Sequence, residues 1–297
     1  MKRSLLQAPL AAALGLAATL AACSGITPTG ADGPSGAQRV RTPFAQGTPH
    51  ASHVTVVIME NRDEDRVVGS SKAPYVNGTL IPAGALLANS HAVGHPSEPN
   101  YLALFSGSKH GLHGDPCPEN FHSANIASEL IAARLTFGGY SESMPYDGFT
   151  GCGTKMYARK HNPWVMFDNV PAADNLVYHR FPNKPPALTF VIPNLCNDMH
   201  NCTVARGDKW LSNHLPPIVA WNAKNDGLLI VTWDEAAPDL NHTNHIPTFV
   251  VGPMVVPGSV DEQDLDHYSV LKTIETIFDV GCISSDCEAT PIEGIWQ

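Results

Sequence analysis

Charge is scarce in this 297-residue chain: Asp, Glu, Lys and Arg together make up 15% of it. Lys and Arg number 18 against 28 Asp and Glu, a formal net charge of −10, and no basic cluster dominates. Binding to nucleic acid works through neutralised phosphates, so nucleic acid is not an expected partner. No Cys-x-x-Cys pair occurs, which argues against a cysteine zinc site. No Gly-x-Ser-x-Gly occurs either, so an esterase-type elbow and triad have no support. Internal repeats are missing as well. Hydrophobic residues at 43%, with 25 Pro and 24 Gly, exclude a disordered chain and a coiled coil. They fit one loop-rich α/β domain with a large core. The 14 His are unusual and direct attention to a phosphate or metal site.

The apolar stretch Leu10–Ala22 follows Lys2 and Arg3 and is too short to span a bilayer. It reads as a signal peptide, residues 1–22. The stretch closes in Leu20-Ala21-Ala22-Cys23, which looks like a bacterial lipobox. Cys23 would then be the lipidated first residue and the membrane contact. The resemblance to lipoprotein sorting rules, with Ser24 next, implies an exported lipoprotein of the outer membrane, periplasm or cell surface. An ordinary signal with a chance Cys is the plain alternative. Residues 23–50, rich in Gly, Pro, Ser and Thr, read as a tether, and residues 51–297 as the domain. Six further cysteines in an exported chain argue for disulfides. Small loops favour Cys196–Cys202 and Cys282–Cys287, which leaves Cys117–Cys152.

Apolar runs predict strands at His53–Met59, Ala85–His91, Phe137–Ser141, Leu188–Ile192, Leu228–Trp233 and Thr248–Val251. Helices are expected over Pro99–Phe105, Ala124–Leu135, Arg206–Ala223 (interrupted at Pro216-Pro217) and Tyr268–Phe278. Near-continuous apolar strands alternating with helices predict a three-layer α/β/α sandwich with a mostly parallel central sheet. In such sheets the active groups gather at the carboxyl ends of strands. Two runs end in acids: VTVVIM in Glu60-Asn61, and LLIVTW in Asp234-Glu235. Clustered carboxylates repel one another, and a bound cation would resolve the conflict. As solvated loop residues or caps they would need no cation. Between them lies His95-Pro96-Ser97-Glu98-Pro99-Asn100-Tyr101, ahead of a helical apolar run. Ser97 at a helix start is usually a cap. Beside a metal it could instead be an alkoxide nucleophile, with the helix N-terminus holding phosphoryl oxygens.

The stretches VVIMENR, HPSEPNYLALFSG, KMYARKHNPWVMFDNVP, FVIPNLCNDMH, GDKWLSNHL, VTWDE, IPTFVVGPMVVPG and HYSVLKTIE occur in this order. As a set they resemble the bacterial phosphoesterase family of acid phosphatases and phospholipases C, within the alkaline phosphatase superfamily. The resemblance implies an alkaline-phosphatase-like fold and hydrolysis of phosphomonoesters, phosphatidylinositol 3-phosphate among them. It implies that Glu60, Asn61, Asp234 and Glu235 surround one divalent cation and that Ser97 takes the phosphoryl group. Asn100 falls where related phosphodiesterases place a phosphoryl ligand. His200 lies in a segment like a second metal site, but Asn194 replaces the Asp expected there. One metal is therefore implied, with His200 on phosphate or donating a proton, and Asp198 and Asp208 could orient it. Oxygen donors favour magnesium, calcium or manganese over zinc, although His200, His245 or His267 could join. His267 also resembles a family His and ranks above His242, which with His245 forms a loop His-x-x-His. Arg159, Lys160 and His161 make the one compact basic stretch, and Lys160 or His161 could contact a phosphate dianion or lipid headgroup. His110 and His113 read as surface. The expected substrate is a phosphorylated small molecule or lipid. A phospholipase C acting on diesters would use the same residues, and a non-catalytic lipid-anchored binding protein is the reading of another class.

Overall fold

The computed structural model describes residues 47–237 and 243–297, all within one compact unit. Cys23, the expected signal and most of the tether lie outside the described residues, as does His242.

Among the described residues ten strands form: β1 His53–Met59, β2 Ala85–Leu87, β3 Ser90–His91, β4 Phe137–Ser141 and β5 Asn175–Val177; then β6 Leu188–Ile192, β7 Gly227–Trp233, β8 Thr248–Val251, β9 Ser259–Asp261 and β10 Leu265–Asp266. The main sheet runs β5-β4-β6-β1-β7-β8-β2-β9, and β3 pairs with β10 apart from it. Neighbours are parallel except at β8, which is antiparallel to both β7 and β2. The helices are α1 Glu64–Val67, α2 Ile81–Ala83, α3 Ser97–Ser106, α4 Ile126–Ala132, α5 Val204–Asn222 and α6 His267–Phe278.

The period-two pleat of the central strands builds two cores. Val54, Val56 and Ile58 of β1 face one side, with Leu102 and Phe105 of α3, Leu130 of α4 and Ile274 of α6. Val57 and Met59 face the other, with Leu211, Leu215 and Ile218 of α5 and Leu80 ahead of α2. That is the three-layer sandwich. Each large side chain so buried contributes about 1.5–3 kcal/mol. Every residue of α3 is buried, so this helix lies inside the molecule, and Gly107 ends it at a φ of 65°.

Two expectations are corrected. Residues 85–91 are not one strand, because β2 stops at Leu87 and the chain crosses to pair β3 with β10. The Pro216-Pro217 pair does not interrupt α5. Both prolines are exposed, so the carbonyls they leave without donors, at Ser212 and Asn213, lie toward solvent and water can serve them. The three disulfides are Cys117–Cys152, Cys196–Cys202 and Cys282–Cys287, the pairing favoured from loop size.

Candidate active site

Strand register brings the acids together. β1 and β7 pair in parallel up to Met59 opposite Trp233, so Glu60 and Asp234 leave the sheet side by side. The Asp234 N–H donates to the Met59 carbonyl at 2.9 Å, which continues the ladder one step further. The chain then turns at Asn61, whose φ of 54° is a left-handed conformation that Asn tolerates. Its backbone N–H donates to Asp234 Oδ1 at 3.1 Å, and its side-chain amide donates to Glu60 Oε2 at 2.9 Å. On the other flank of β1, the loop after β6 delivers Asp198, whose carbonyl accepts the Glu60 N–H at 2.8 Å. Arg62 fastens that loop by donating to the Met199 and Cys202 carbonyls, each at 2.7 Å. The Cys196–Cys202 disulfide closes it.

Glu60, Asp198, Asp234 and Glu235 are all buried. Burial, then the charges of Asp234 and Asp198, holds the Glu60 carboxyl well above the usual range. Burial does the same to Asp198. Asp234 is pushed up to about 7 by burial and by Glu235. Glu235 is pushed up to about 7, mainly by burial. Four carboxylates collected out of water are relieved by holding protons, as these raised values show, or by a positive charge among them. The buried polar atoms point the same way. Asp198 Oδ2, Asp234 Oδ2 and His161 Nε2 have no hydrogen-bond partner. His161 Nε2 stands 3.0 Å from Glu60 Oε1, outside hydrogen-bond alignment. Burial, Lys160 and His200 lower its affinity for a proton, so the imidazole is neutral and carries a free lone pair. Ligand atoms of Glu60, His161 and His200 all lie within 4.8 Å of one another. Carboxylate oxygens with open lone pairs and neutral imidazoles suit a divalent cation.

Ser97 is the first residue of α3 and does not cap it: Pro96 holds the cap position, with no side-chain bond. The buried hydroxyl instead faces the acids, 3.3 Å from Glu60 Oε2 and 3.2 Å from Glu235 Oε1. These are loose for O–H···O bonds, and one proton serves one acceptor at a time. The helix N-terminus offers less than expected. The Glu98 N–H is taken by Asp115 Oδ1 at 3.0 Å, and Pro99 has no N–H.

Other expected site residues separate into groups. Lys160 lies at the rim, its ammonium 2.6 Å from Asp115 Oδ2. His200 is half-buried, with its ring 5.7 Å from His161 and its Nδ1 2.9 Å from Asn201 Oδ1. Asn100 is turned to the main chain, where its amide makes four bonds with Val93, Gly94 and Pro96. His267 lies behind Asp234 and donates from Nε2 to its carbonyl at 2.7 Å. Arg159 is buried and donates to the Glu119 and Val165 carbonyls. Asp208 is not at the site; it accepts the N–H groups of Tyr75 and Val76 from α5. His245 binds the Ala88 carbonyl at 2.8 Å and stacks on His91. Asn194 folds its own loop by accepting from Cys196 and Asn197 N–H. His113 is exposed, but His110 is half-buried, stacked on Phe121 and bonded to Ser106.

Two site residues escaped the sequence reading. Tyr101 donates its hydroxyl to Glu60 Oε1 and stacks on His161 with ring centroids 5.1 Å apart. It lies four residues after Ser97, one helical turn on, and that spacing was the available signal. His95, two residues before Ser97, contacts Glu235 Oε2 through Nδ1.

Several known proteins resemble this chain over most of its length. The chain is 43% identical over 258 residues to a phosphatidylinositol-3-phosphatase of Mycobacterium tuberculosis, covering 85% of each chain. It is 31% identical over 253 residues to a probable acid phosphatase of Kluyveromyces lactis, covering 76% of this chain and 58% of that one. An acid phosphatase of Aspergillus fumigatus is 30% identical over 262 residues, with 80% and 57% covered. The chain thus spans under two thirds of these fungal relatives. A solved alkaline phosphatase superfamily protein from Vibrio parahaemolyticus superposes with a TM-score of 0.59 at 12% identity, over 84% of this chain and 72% of that one, a likeness of fold. The model of the Phosphoesterase family matches residues 70–281, and the chain belongs to that family.

Proposed function

We propose that this protein is an acid phosphatase, a phosphoric monoester hydrolase that works through a phosphoserine on Ser97 with the help of a divalent cation. The observation that carries the reading is the Ser97 hydroxyl, buried at the start of α3 and aimed at Glu60 and Glu235 rather than at its own helix. Glu60, Asp234 and Glu235 would hold the cation, with Asn61 braced between the first two and His161 and His200 at its edge. Bound there, the cation would supply positive charge to the phosphoryl oxygens and favour the ionised serine.

The chain's own groups do the rest. Glu235 Oε1 accepts the Ser97 proton as Oγ attacks phosphorus and the bond to the substrate alcohol breaks. His200, half-exposed at the edge, donates a proton to the departing alcohol and then draws one from the water that cleaves the phosphorus–Oγ bond, while Glu235 returns its proton to Oγ. Lys160 meets the second negative charge of a monoester at the rim, since α3 has few N–H groups to spare. The family resemblance and the mycobacterial relative's name support a lipid-borne phosphomonoester, a phosphoinositide, as substrate. Among the described residues no helix is long and apolar enough to cross a membrane. We assign the membrane contact to a lipidated Cys23 and the location to the cell envelope.

The test is phosphate release from p-nitrophenyl phosphate and from phosphatidylinositol 3-phosphate, with chelator and after each of magnesium, calcium, manganese and zinc is restored. Ser97→Ala should lower kcat by roughly a thousandfold or more while the melting temperature stays within a few degrees. A variant that keeps most of its activity would refute the serine mechanism. Hydrolysis of phosphatidylcholine alone would replace the monoesterase reading with that of a phospholipase C.

A further inference from the structure

Four buried carboxylates attract any cation, and Lys160 is a cation of the protein's own within their field. Lys160 immediately precedes His161, whose ring reaches Glu60. Its ammonium feels the pull of Glu60 and Asp234, and Glu235 feels Lys160 in return. A lysine carries its charge on a flexible four-carbon stem and can swing onto whichever carboxylate is open. It does not do so here: the ammonium lies 2.6 Å from Asp115 Oδ2.

Asp115 is unusually well placed to hold it. Its other oxygen accepts the Glu98 N–H at 3.0 Å, next to the Ser97 nucleophile. The loop that carries it is joined to the Lys160 segment at two further points. Cys117 is bonded to Cys152, whose carbonyl accepts the Arg159 N–H at 3.0 Å. The Arg159 guanidinium donates to the Glu119 carbonyl at 2.9 Å. Beside the pair, Glu98 is fully buried with both carboxylate oxygens lacking a hydrogen-bond partner, in the field of Asp115 and Lys160. An exposed ion pair of this kind would contribute about 0–1 kcal/mol and have no further role. This one is about a quarter exposed at each side chain and clamped from three directions.

We infer that Asp115 is a positioning residue that parks the Lys160 ammonium at the rim and so keeps the carboxylate cluster open to a divalent cation. The inference rests on the reading of that cluster as a cation site. Without Asp115, Lys160 falls onto Glu60, Asp234 or Glu235 and competes with the metal.

The test is a double-mutant cycle read by calorimetric titration of manganese into the chelator-treated, full-length protein, so that affinity and not turnover is measured. Asp115→Asn should weaken manganese binding about tenfold, and Asp115→Glu should restore it to within about threefold of wild type. Lys160→Met should strengthen binding far more in the Asp115→Asn background, by about tenfold, than in the wild-type background. Removal of Asp115 also removes one negative charge near the site, and that effect alone would make the two gains from Lys160→Met equal. Equal gains, or an Asp115→Asn protein that binds as tightly as wild type, overturn the inference. Silence in wild type and every variant overturns it too, by removing the cation site itself. Melting curves in chelator verify that each variant is folded.

Discussion

Asp234 allows the cation reading to be tested without any substrate. In the protein lacking a cation its carboxyl is pushed from an ordinary 3.8 up to about 7, chiefly by burial and then by Glu235. The sign follows from linkage: a raised value in the folded state means stability that is full below the unfolded value and is lost as pH rises through the folded one. Between pH 5 and pH 8 the loss from Asp234 alone spans roughly two of the three pH units, on the order of 2–3 kcal/mol. For a domain of this size that lowers Tm by roughly 5–10 °C. A cation bound by Asp234 cancels the loss, because the charged form is then the favoured one. At a free concentration a hundred times its Kd it stabilises by about 2.7 kcal/mol. The assay is differential scanning calorimetry at pH 5 and pH 8, in chelator and in excess manganese, on wild type and Asp234→Asn. Comparison with and without cation at each pH cancels the titration of distant groups. The expected result is a larger gain in Tm from manganese at pH 8 than at pH 5, and a smaller difference in Asp234→Asn, where only the raised carboxyls of Glu60 and Glu235 remain. Equal gains at the two pH values in wild type would refute the reasoning.

Two further perturbations separate the scaffold from the site. Asp208→Asn should leave activity per folded molecule unchanged and lower Tm by a few degrees. Asn can accept only one of the N–H bonds from Tyr75 and Val76 well, and a buried N–H left without a partner costs about 1–3 kcal/mol. Glu275 is buried next to Asp286 and is pushed up to about 9, first by burial and then by Asp286, with Lys272 opposing and Glu129 adding to the rise. Its contribution is therefore full below pH 4 and is lost as pH rises toward 9, so Glu275→Gln should melt with wild type at pH 4 and above it at pH 9. A variant that melts equally at both would show that the carboxyl is not strained by its surroundings.

Sequence patterns reveal what repeats and conceal what meets across space. The central strands were legible because β1, β6 and β7 are apolar on both faces, and the acids were legible because they stand where those runs stop. Register then placed Glu60 beside Asp234, a relation between strands some 170 residues apart that no local pattern contains. Ser97 was legible as a residue at a helix start, but its turn away from the cap toward the acids depends on Glu60 and Glu235 being there. Tyr101 was hidden inside the apolar run that makes α3 a buried helix, where an aromatic reads as core. Asp115 lies in a segment without periodicity and reaches the site through Lys160, with the Cys117–Cys152 bond beside it. The basic stretch 159–161 split into three fates, since burial sends Arg159 to backbone carbonyls and His161 to Glu60 and leaves Lys160 at the rim.

The ladder bond from the Asp234 N–H to the Met59 carbonyl means that the spacing of Glu60 and Asp234 is a property of the sheet. The segments that frame the entrance can lengthen, shorten or change charge without moving the acids relative to one another. On the proposed reading of the site, a new substrate requires new loops over the same pair of acids, which is a short evolutionary step.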